Sequence, residues 1–271
     1  MAYEQGDRDM STDAVVVGES AGVLTIRMNS PETRNALGPE VEHGLVDALA
    51  AAAAADVRAV VLTGTGPAFC AGASTGELDS NEGRDQATLA ARARVIPDTI
   101  LVPLYRLAKP VVASVNGWAV GAGLGLALAA DFRVLAADAR IRFGFRRVGL
   151  APDLATGWML PRLVGMRAAR DLLTFDRVID AEAALVMGIA DEVVAAEQLA
   201  SRVAELAAEL ADGPTLAFAA MKQMLQRAFD LDLGSFLERE VMAQSLLVRT
   251  DDHQEGVDAL VGKREPKFLG R

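Results

Sequence analysis

The apolar residues of this chain fall into short blocks that switch between two periods. Residues 14–17 and 23–28 are β-branched runs, and Gly18-Glu19-Ser20-Ala21-Gly22 between them predicts a hairpin. Residues 39–55 end in an alanine run of high helix propensity and predict a helix. Residues 59–63 are continuously apolar, the pattern of a strand covered on both faces. A glycine-rich loop follows over residues 64–73. Residues 74–98 are polar and read as a helical or mobile stretch. A second buried strand is expected over 110–115, a helix entered through glycines over 121–130, and a third strand over 132–136. From Ala196 the period turns helical, with Leu199, Val203, Leu206 and Leu210 at helical spacing. Asp212-Gly213-Pro214 breaks that helix. Two more are expected over 215–229 and 233–248. The chain divides near residue 195 into an α/β core, residues 1–195, and a helical region, residues 196–271.

Composition narrows this picture. At 271 residues and 51% hydrophobic content, the chain can bury a sizeable core as one large domain or as a core with a small appendage. A membrane span needs about 20 nearly uninterrupted apolar residues. The best stretch, residues 113–130, is interrupted by Asn116 and by Gly117, Gly121, Gly123 and Gly125, so no membrane association is expected. Residues 1–13 are polar and carry no apolar signal core, which points to a cytoplasmic protein. A net charge of -10 opposes nucleic-acid binding, which draws on neutralised phosphates. A small phosphorylated ligand needs only a local cluster of Lys and Arg. The single cysteine, Cys70, excludes an internal disulfide, and two distant histidines, His43 and His253, do not make a metal site.

Two glycine strings invite chemistry. Gly18-Glu19-Ser20-Ala21-Gly22 matches a nucleophile elbow, but strand-like runs flank it on both sides where an elbow needs a helix after it. The hairpin reading stands. Gly121-Ala122-Gly123-Leu124-Gly125 begins like a dinucleotide fingerprint but lacks the third glycine at its spacing and the acidic residue about 20 positions on. It reads equally as close helix–sheet packing or as a helix N-terminus whose unpaired N–H groups stabilise an oxyanion.

Longer motifs weigh on that choice. Val61-Leu62-Thr63-Gly64-Thr65-Gly66-Pro67-Ala68-Phe69-Cys70-Ala71-Gly72-Ala73 and Pro110-Val111-Val112-Ala113-Ser114-Val115-Asn116-Gly117-Trp118-Ala119-Val120-Gly121-Ala122-Gly123 stand between an early motif, Arg27-Met28-Asn29-Ser30-Pro31-Glu32-Thr33-Arg34-Asn35-Ala36-Leu37, and a late one, Gly262-Lys263-Arg264-Glu265-Pro266-Lys267-Phe268. In order and spacing these resemble the crotonase superfamily, the enoyl-CoA hydratase/isomerase group, over roughly residues 15–269. The resemblance implies a spiral of ββα turns followed by helices that build a homotrimer or a hexamer. It implies an acyl-CoA thioester as substrate, with coenzyme A part of the substrate and no separate cofactor.

It also assigns residues. Ala73 and Ala122 carry the two oxyanion-hole N–H groups; the second position is usually glycine in the family. Ala71, Gly72, Gly121 and Gly123 flank them. The two water-activating glutamates of the hydratases fall on Gly125 and Phe145, neither of which transfers a proton, so Phe145 is expected as a wall of the acyl pocket. Asp153 stands where some isomerases carry a catalytic carboxylate and where aryl-CoA dehalogenases carry a nucleophile. From local sequence alone it reads as a helix N-cap. The dehalogenases' histidine base has no counterpart over residues 87–94. An isomerase with Asp153 as acid/base is the first expectation. Another crotonase-type reaction, hydratase or dehalogenase, comes next, and a degenerate acyl-CoA-binding homologue last. Glu77 and Asp79 are further carboxylates near the acyl chain. Arg27, Arg34, Lys263, Arg264 and Lys267 are candidates for the CoA phosphates, with Lys267 and Phe268 the preferred pair.

Overall fold

The computed structural model describes residues 13–74 and 85–271. The hairpin pairs β1 (Val15–Ser20) antiparallel with β2 (Val23–Met28), Val15 opposite Met28 and Ser20 opposite Val23. Its turn is only Ala21 and Gly22, both at positive φ. Gly18, Glu19 and Ser20, expected in the turn, belong to β1. A two-residue turn with positive φ at both positions has the twist that matches the strands it joins. Helix α1 (Pro39–Ala52) lays Val41, Leu45 and Ala48 on this hairpin.

The chain then runs through β3 (Ala59–Gly64), β4 (Ala68–Cys70), α2 (Gln86–Ile96), a π-helical turn (Pro97–Leu101) and α3 (Val102–Arg106). It continues through β5 (Val111–Val115), β6 (Trp118–Val120), α4 (Ala122–Ala129), β7 (Phe132–Ala136) and β8 (Arg140–Arg142). After a 3-10 turn (Phe145–Val148) come α5 (Thr156–Phe175), β9 (Ile179–Asp180), α6 (Ala181–Val186) and β10 (Glu192–Val194). One sheet has the order β1-β2-β3-β5-β7-β10, parallel from β2 onward; the other has the order β4-β6-β8-β9. Each circuit lays one strand in each sheet, β3 then β4, β5 then β6, β7 then β8. That is the expected spiral. Strand β4 lies inside the stretch read as loop, because three residues among glycines and a proline show no period.

The remaining helices are α7 (Leu199–Asp212), α8 (Thr215–Arg227), α9 (Leu233–Leu247) and α10 (Asp251–Gly262). Helix α7 buries Leu199, Val203 and Ala207 against β3, β5 and β7, and so belongs to the core. Helix α8 is tied to the same sheet by Lys222, whose Nζ donates to Asp131 Oδ2 at 2.8 Å and to the Lys109 carbonyl at 3.3 Å. Burial pushes the Asp131 pKa up and the Lys222 pKa down, each toward its neutral form; the mutual attraction opposes both shifts. Beyond this tie the tail leaves Leu225, Phe229, Leu233, Leu246, Leu260 and Val261 largely exposed. No helix among the described residues is long and apolar enough to cross a membrane.

The loop between β3 and β4 has no ladder partner for its backbone, and buried polar groups must be paired somewhere. Two asparagines supply the pairs. Asn35, fully buried at φ 57°, accepts the Ser30 N–H at 2.9 Å and donates to the Thr65 and Ala68 carbonyls at 2.9 and 2.8 Å. Asn116 accepts the Gly64 N–H at 3.2 Å and donates to the Gly66 and Ala68 carbonyls at 2.9 and 3.2 Å. Asparagine tolerates the left-handed backbone better than most residues. Asn35→Ala removes three hydrogen bonds, leaves their partners buried and keeps a positive φ that alanine resists. It is expected to cost about 3 kcal/mol or more. Urea unfolding measures this, and a loss under about 1 kcal/mol contradicts the role given to Asn35.

Candidate active site

The exits of β4 and β6, paired neighbours in the second sheet, approach each other closely. Gly72 sits at φ 89°, and a Cβ there would stand 2.7 Å from the Val120 carbonyl oxygen and 3.4 Å from the Ala122 nitrogen. Only glycine permits that approach. Leu37 N–H donates to the Gly72 carbonyl at 2.7 Å and Ser74 N–H to the Leu37 carbonyl at 3.0 Å. In this parallel bridge the Ala73 N–H, between them, points to the opposite side. Gly121 takes φ 53° and ψ -123°, a conformation reserved for glycine, and starts α4. The first bond closing that helix runs from Gly125 N–H to the Gly121 carbonyl at 3.1 Å. The Ala122 N–H precedes it and has no intrahelical acceptor. The Ala73 and Ala122 amides, neither with a backbone acceptor among the described residues, thus belong to loops packed against each other, the second at the positive end of a helix. Ala71 and Gly123 hold these loops in place. Ala71 N–H donates to the Arg34 carbonyl at 3.0 Å, and a Cβ on Gly123 would stand 2.6 Å from Cys70 Sγ. Burial pushes the Cys70 thiol up to about 12, so it is no thiolate nucleophile at neutral pH.

Gly125 lies one turn beyond Ala122 on the same face of α4. The space a side chain there would need is occupied: a Cβ would meet Leu154 Cβ at 2.8 Å and Thr156 Oγ1 at 3.2 Å. Leu154 and Ala155 are both left-handed, at φ 41° and 53°, without being glycine. The Thr156 hydroxyl is buried with no hydrogen-bond partner among the described residues. Phe145 is buried, its ring edge 4.0 Å from where a Gly121 Cβ would be. Asp153 enters this strained turn. It does not cap α5: the cap position is Ala155, with no side-chain bond, and Thr156 N–H donates to the Asp153 backbone carbonyl at 2.9 Å. Asp153 is exposed. Even so, desolvation by its surroundings holds the pKa above the ordinary carboxylate value, opposed by a hydrogen bond from its own backbone N–H.

The other expected site residues divide. Arg34 is exposed, one bond from the Ala71 loop. Glu77 and Asp79 lie outside the described residues. Within one chain the late motif is not brought to the amides. Lys267 N–H donates to Glu255 at 2.7 Å, Phe268 rests near Gly256, and a Cβ on Gly270 would stand 2.8 Å from Arg58 Nε. Arg58 directly precedes β3, whereas the Ala73 loop follows β4. Arg264 is engaged by Glu255 at 2.6 and 2.7 Å and holds that carboxyl down at about 2. It is not a free cation for a phosphate. No cluster of three or more His, Cys, Asp or Glu side chains able to hold a metal occurs among the described residues. The sequence reading missed the roles of Asn35, Asn116 and Thr156. The two asparagines lay in view inside the early and the second glycine motifs, whereas Thr156 belongs to no motif.

The sequence profile of the Enoyl-CoA hydratase/isomerase family matches residues 18–271. A protein named "Probable enoyl-CoA hydratase" from Rhodobacter capsulatus is 39% identical over 252 residues, covering 93% of this chain and 96% of that protein. The 1,2-epoxyphenylacetyl-CoA isomerase of Escherichia coli K12 is 34% identical over 251 residues, covering 92% and 96%. A crystal structure of an enoyl-CoA hydratase/isomerase from Cupriavidus metallidurans superposes with a TM-score of 0.91 at 31% identity, covering 96% of this chain and 97% of that one. With identity of this order along nearly the whole length and a shared fold, the chain belongs to the enoyl-CoA hydratase/isomerase family, whose members act on acyl-CoA thioesters.

Proposed function

We propose that the protein is an enoyl-CoA isomerase in which Asp153 carries a proton along the acyl chain. The observation that supports this most is the Asp153 carboxyl itself. It is freed from helix capping, raised in pKa, and followed by Leu154 and Thr156 packed on the α4 face that begins at Ala122. The thioester oxygen accepts from the Ala73 and Ala122 amides, and each such donor is worth about 3 kcal/mol to a developing oxyanion. The Asp153 carboxylate takes a proton from C2 of a 3-enoyl-CoA. The electrons of that C–H bond form the dienolate, its charge held on the thioester oxygen. Protonation at C4 by the same carboxyl then leaves the double bond between C2 and C3. No atom is gained or lost. The carboxyl must both accept and return the proton, and a pKa shifted toward neutrality serves both directions. Phe145 and Leu154 keep the dienolate beside apolar groups, and Gly125 offers no group to activate water. Hydration of crotonyl-CoA is therefore slow in this reading. We also propose assembly into a homotrimer or hexamer through residues 196–271, since the apolar side chains left exposed on α8–α10 need cover. Sedimentation at micromolar concentration tests this; a stable monomer rules it out.

Asp153→Asn retains size but not basicity. Its kcat on a 3-enoyl-CoA, followed by absorbance of the conjugated product, is expected to fall by about 100- to 10,000-fold. Folded protein binds the Asp153 proton more tightly than the unfolded chain, so the ionised form opposes folding as pH rises through the raised pKa. The melting temperature of Asp153→Asn at neutral pH is thus expected to hold or rise. In the wild type, kcat/KM rises with pH through an apparent pKa above the ordinary value of about 3.9, and Asp153→Asn lacks that limb. Wild-type turnover by this variant rejects the assignment.

A further inference from the structure

A second carboxylate serves the site without reaching it. Asp176 closes the C-terminus of α5 at φ 52°, and its side chain is 3% exposed. A carboxylate so dry needs partners for both oxygens. Arg142 donates Nε and Nη2 to Oδ2 at 3.0 and 2.9 Å, and the Gly144 backbone N–H donates to Oδ1 at 2.6 Å. One carboxylate thereby grips the chain on either side of Phe143. The gripped segment is the support of the oxyanion loop. The Arg142 carbonyl accepts the Gly121 N–H at 3.0 Å, and Gly121 is bonded to Ala122. Gly144, at φ 79°, starts the turn carrying Phe145; a Cβ on Gly144 would stand 3.3 Å from Val120 Cγ1. Asp176 reaches these residues because α5 breaks at Gly165, where φ 77° and ψ 160° turn the chain. A single helical unit therefore begins next to Asp153 and ends on the clamp behind Ala122.

We propose that Asp176 is a positioning residue: by holding Arg142 and Gly144 it sets the Ala122 donor and the Phe145 wall relative to the Asp153 turn. This rests on the reading of Ala122 as an oxyanion donor. A buried ion pair with a purely structural role makes a different prediction, and the molecule contains the control. Asp191, though 43% exposed, holds the buried Arg133 guanidinium at 2.9 Å and the Arg133 N–H at 2.7 Å, a comparable arginine–carboxylate clamp at the β7–β10 edge, apart from the residues assigned to the site. The full-length wild type, Asp176→Ala, Asp176→Asn and Asp191→Asn are compared in three measurements. These are thermal melting, kcat and KM on a 3-enoyl-CoA, and the ultraviolet enolate band of bound acetoacetyl-CoA. The enolate band reports the oxyanion hole without needing Asp153. The Asp176 and Asp191 variants are all expected to lower the melting temperature. Only the Asp176 variants lower kcat, about 10- to 100-fold for Ala with KM changed less than threefold, and weaken the enolate band. Asn, which still accepts the Gly144 N–H, recovers part of both. If Asp176→Ala does not fold, the Asn variant carries the comparison alone. Wild-type kcat and enolate band in folded Asp176 variants overturn the positioning role, as does an equal kcat loss in Asp191→Asn. A wild type showing neither turnover nor an enolate band overturns the oxyanion reading, and this inference with it.

Discussion

The site depends on one close approach, the contact of Gly72 with the backbone from Val120 to Ala122. The Gly72 and Gly121 turns lie at the exits of β4 and β6, two neighbouring strands of the second sheet. Where they touch, the Ala73 and Ala122 amides are left without a backbone acceptor among the described residues. An unpaired backbone N–H is ordinarily a cost. Placed beside another, at a helix N-terminus, it becomes a donor fixed in advance for a charge that does not yet exist. Preorganisation of this kind needs no reorganisation at the moment of reaction. A methyl group on residue 72 would separate the turns and dissolve the pair.

Close approach of irregular backbone requires that something other than a ladder satisfy it. Asn35 and Asn116 do this for the β3–β4 loop, and the Arg142–Asp176 pair does it for the segment behind Gly121. Asn35 and Asp176 are buried, Asn116 and Arg142 half-buried, and each is hydrogen-bonded. Such networks are costly when half satisfied and rigid when complete. The apolar core under the sheets supplies most of the stability. These few polar groups decide where the turns sit, to within the fraction of an ångström that an oxyanion hole demands.

Much of the fold is legible in the residue pattern. Strands β3, β5 and β7 appear as uninterrupted apolar runs because both of their faces are covered. Helix α7 appears through Leu199, Val203 and Leu206 because one face is not. Strands β4, β6 and β8 are invisible to periodicity, being three residues each. Helix α5 has no counterpart in the sequence reading; it carries Pro161 inside it and kinks at Gly165. The candidate site was legible where its chemistry is written in backbone and glycine, as at Gly72, Gly121 and Ala122. Asp153 was visible but ambiguous, since a capping aspartate and a catalytic one look alike in sequence. The backbone bond from Thr156 to Asp153, in place of a side-chain bond, removes the capping role and leaves the catalytic one as a proposal. Asp176 could not be read at all. Its partners lie 32 and 34 residues away, and no local pattern encodes them.

The turn after Asp153 shows what the site asks of the rest of the protein. Leu154 and Ala155 adopt left-handed backbone that costs about 1–3 kcal/mol each, and the Thr156 hydroxyl is buried unpaired. Glycine at 155 would relieve part of this strain, yet the chain has alanine there. The strain has a geometric consequence. Two successive left-handed residues reverse the chain so sharply that Leu154 lands on Gly125 while α5 starts at once, leaving Asp153 no helix end to cap. A relaxed turn would lengthen the loop, withdraw Leu154 and open the face of α4 one turn below the Ala122 amide. A side chain at 125 would have the same effect from the other direction. The absence of a carboxylate at Gly125, the filling of its place by Leu154 and the release of the Asp153 side chain are thus three aspects of one backbone conformation. In the proposed isomerisation, a proton transfer that adds no water uses all three together, and that use is a physical reason for holding strain beside Asp153.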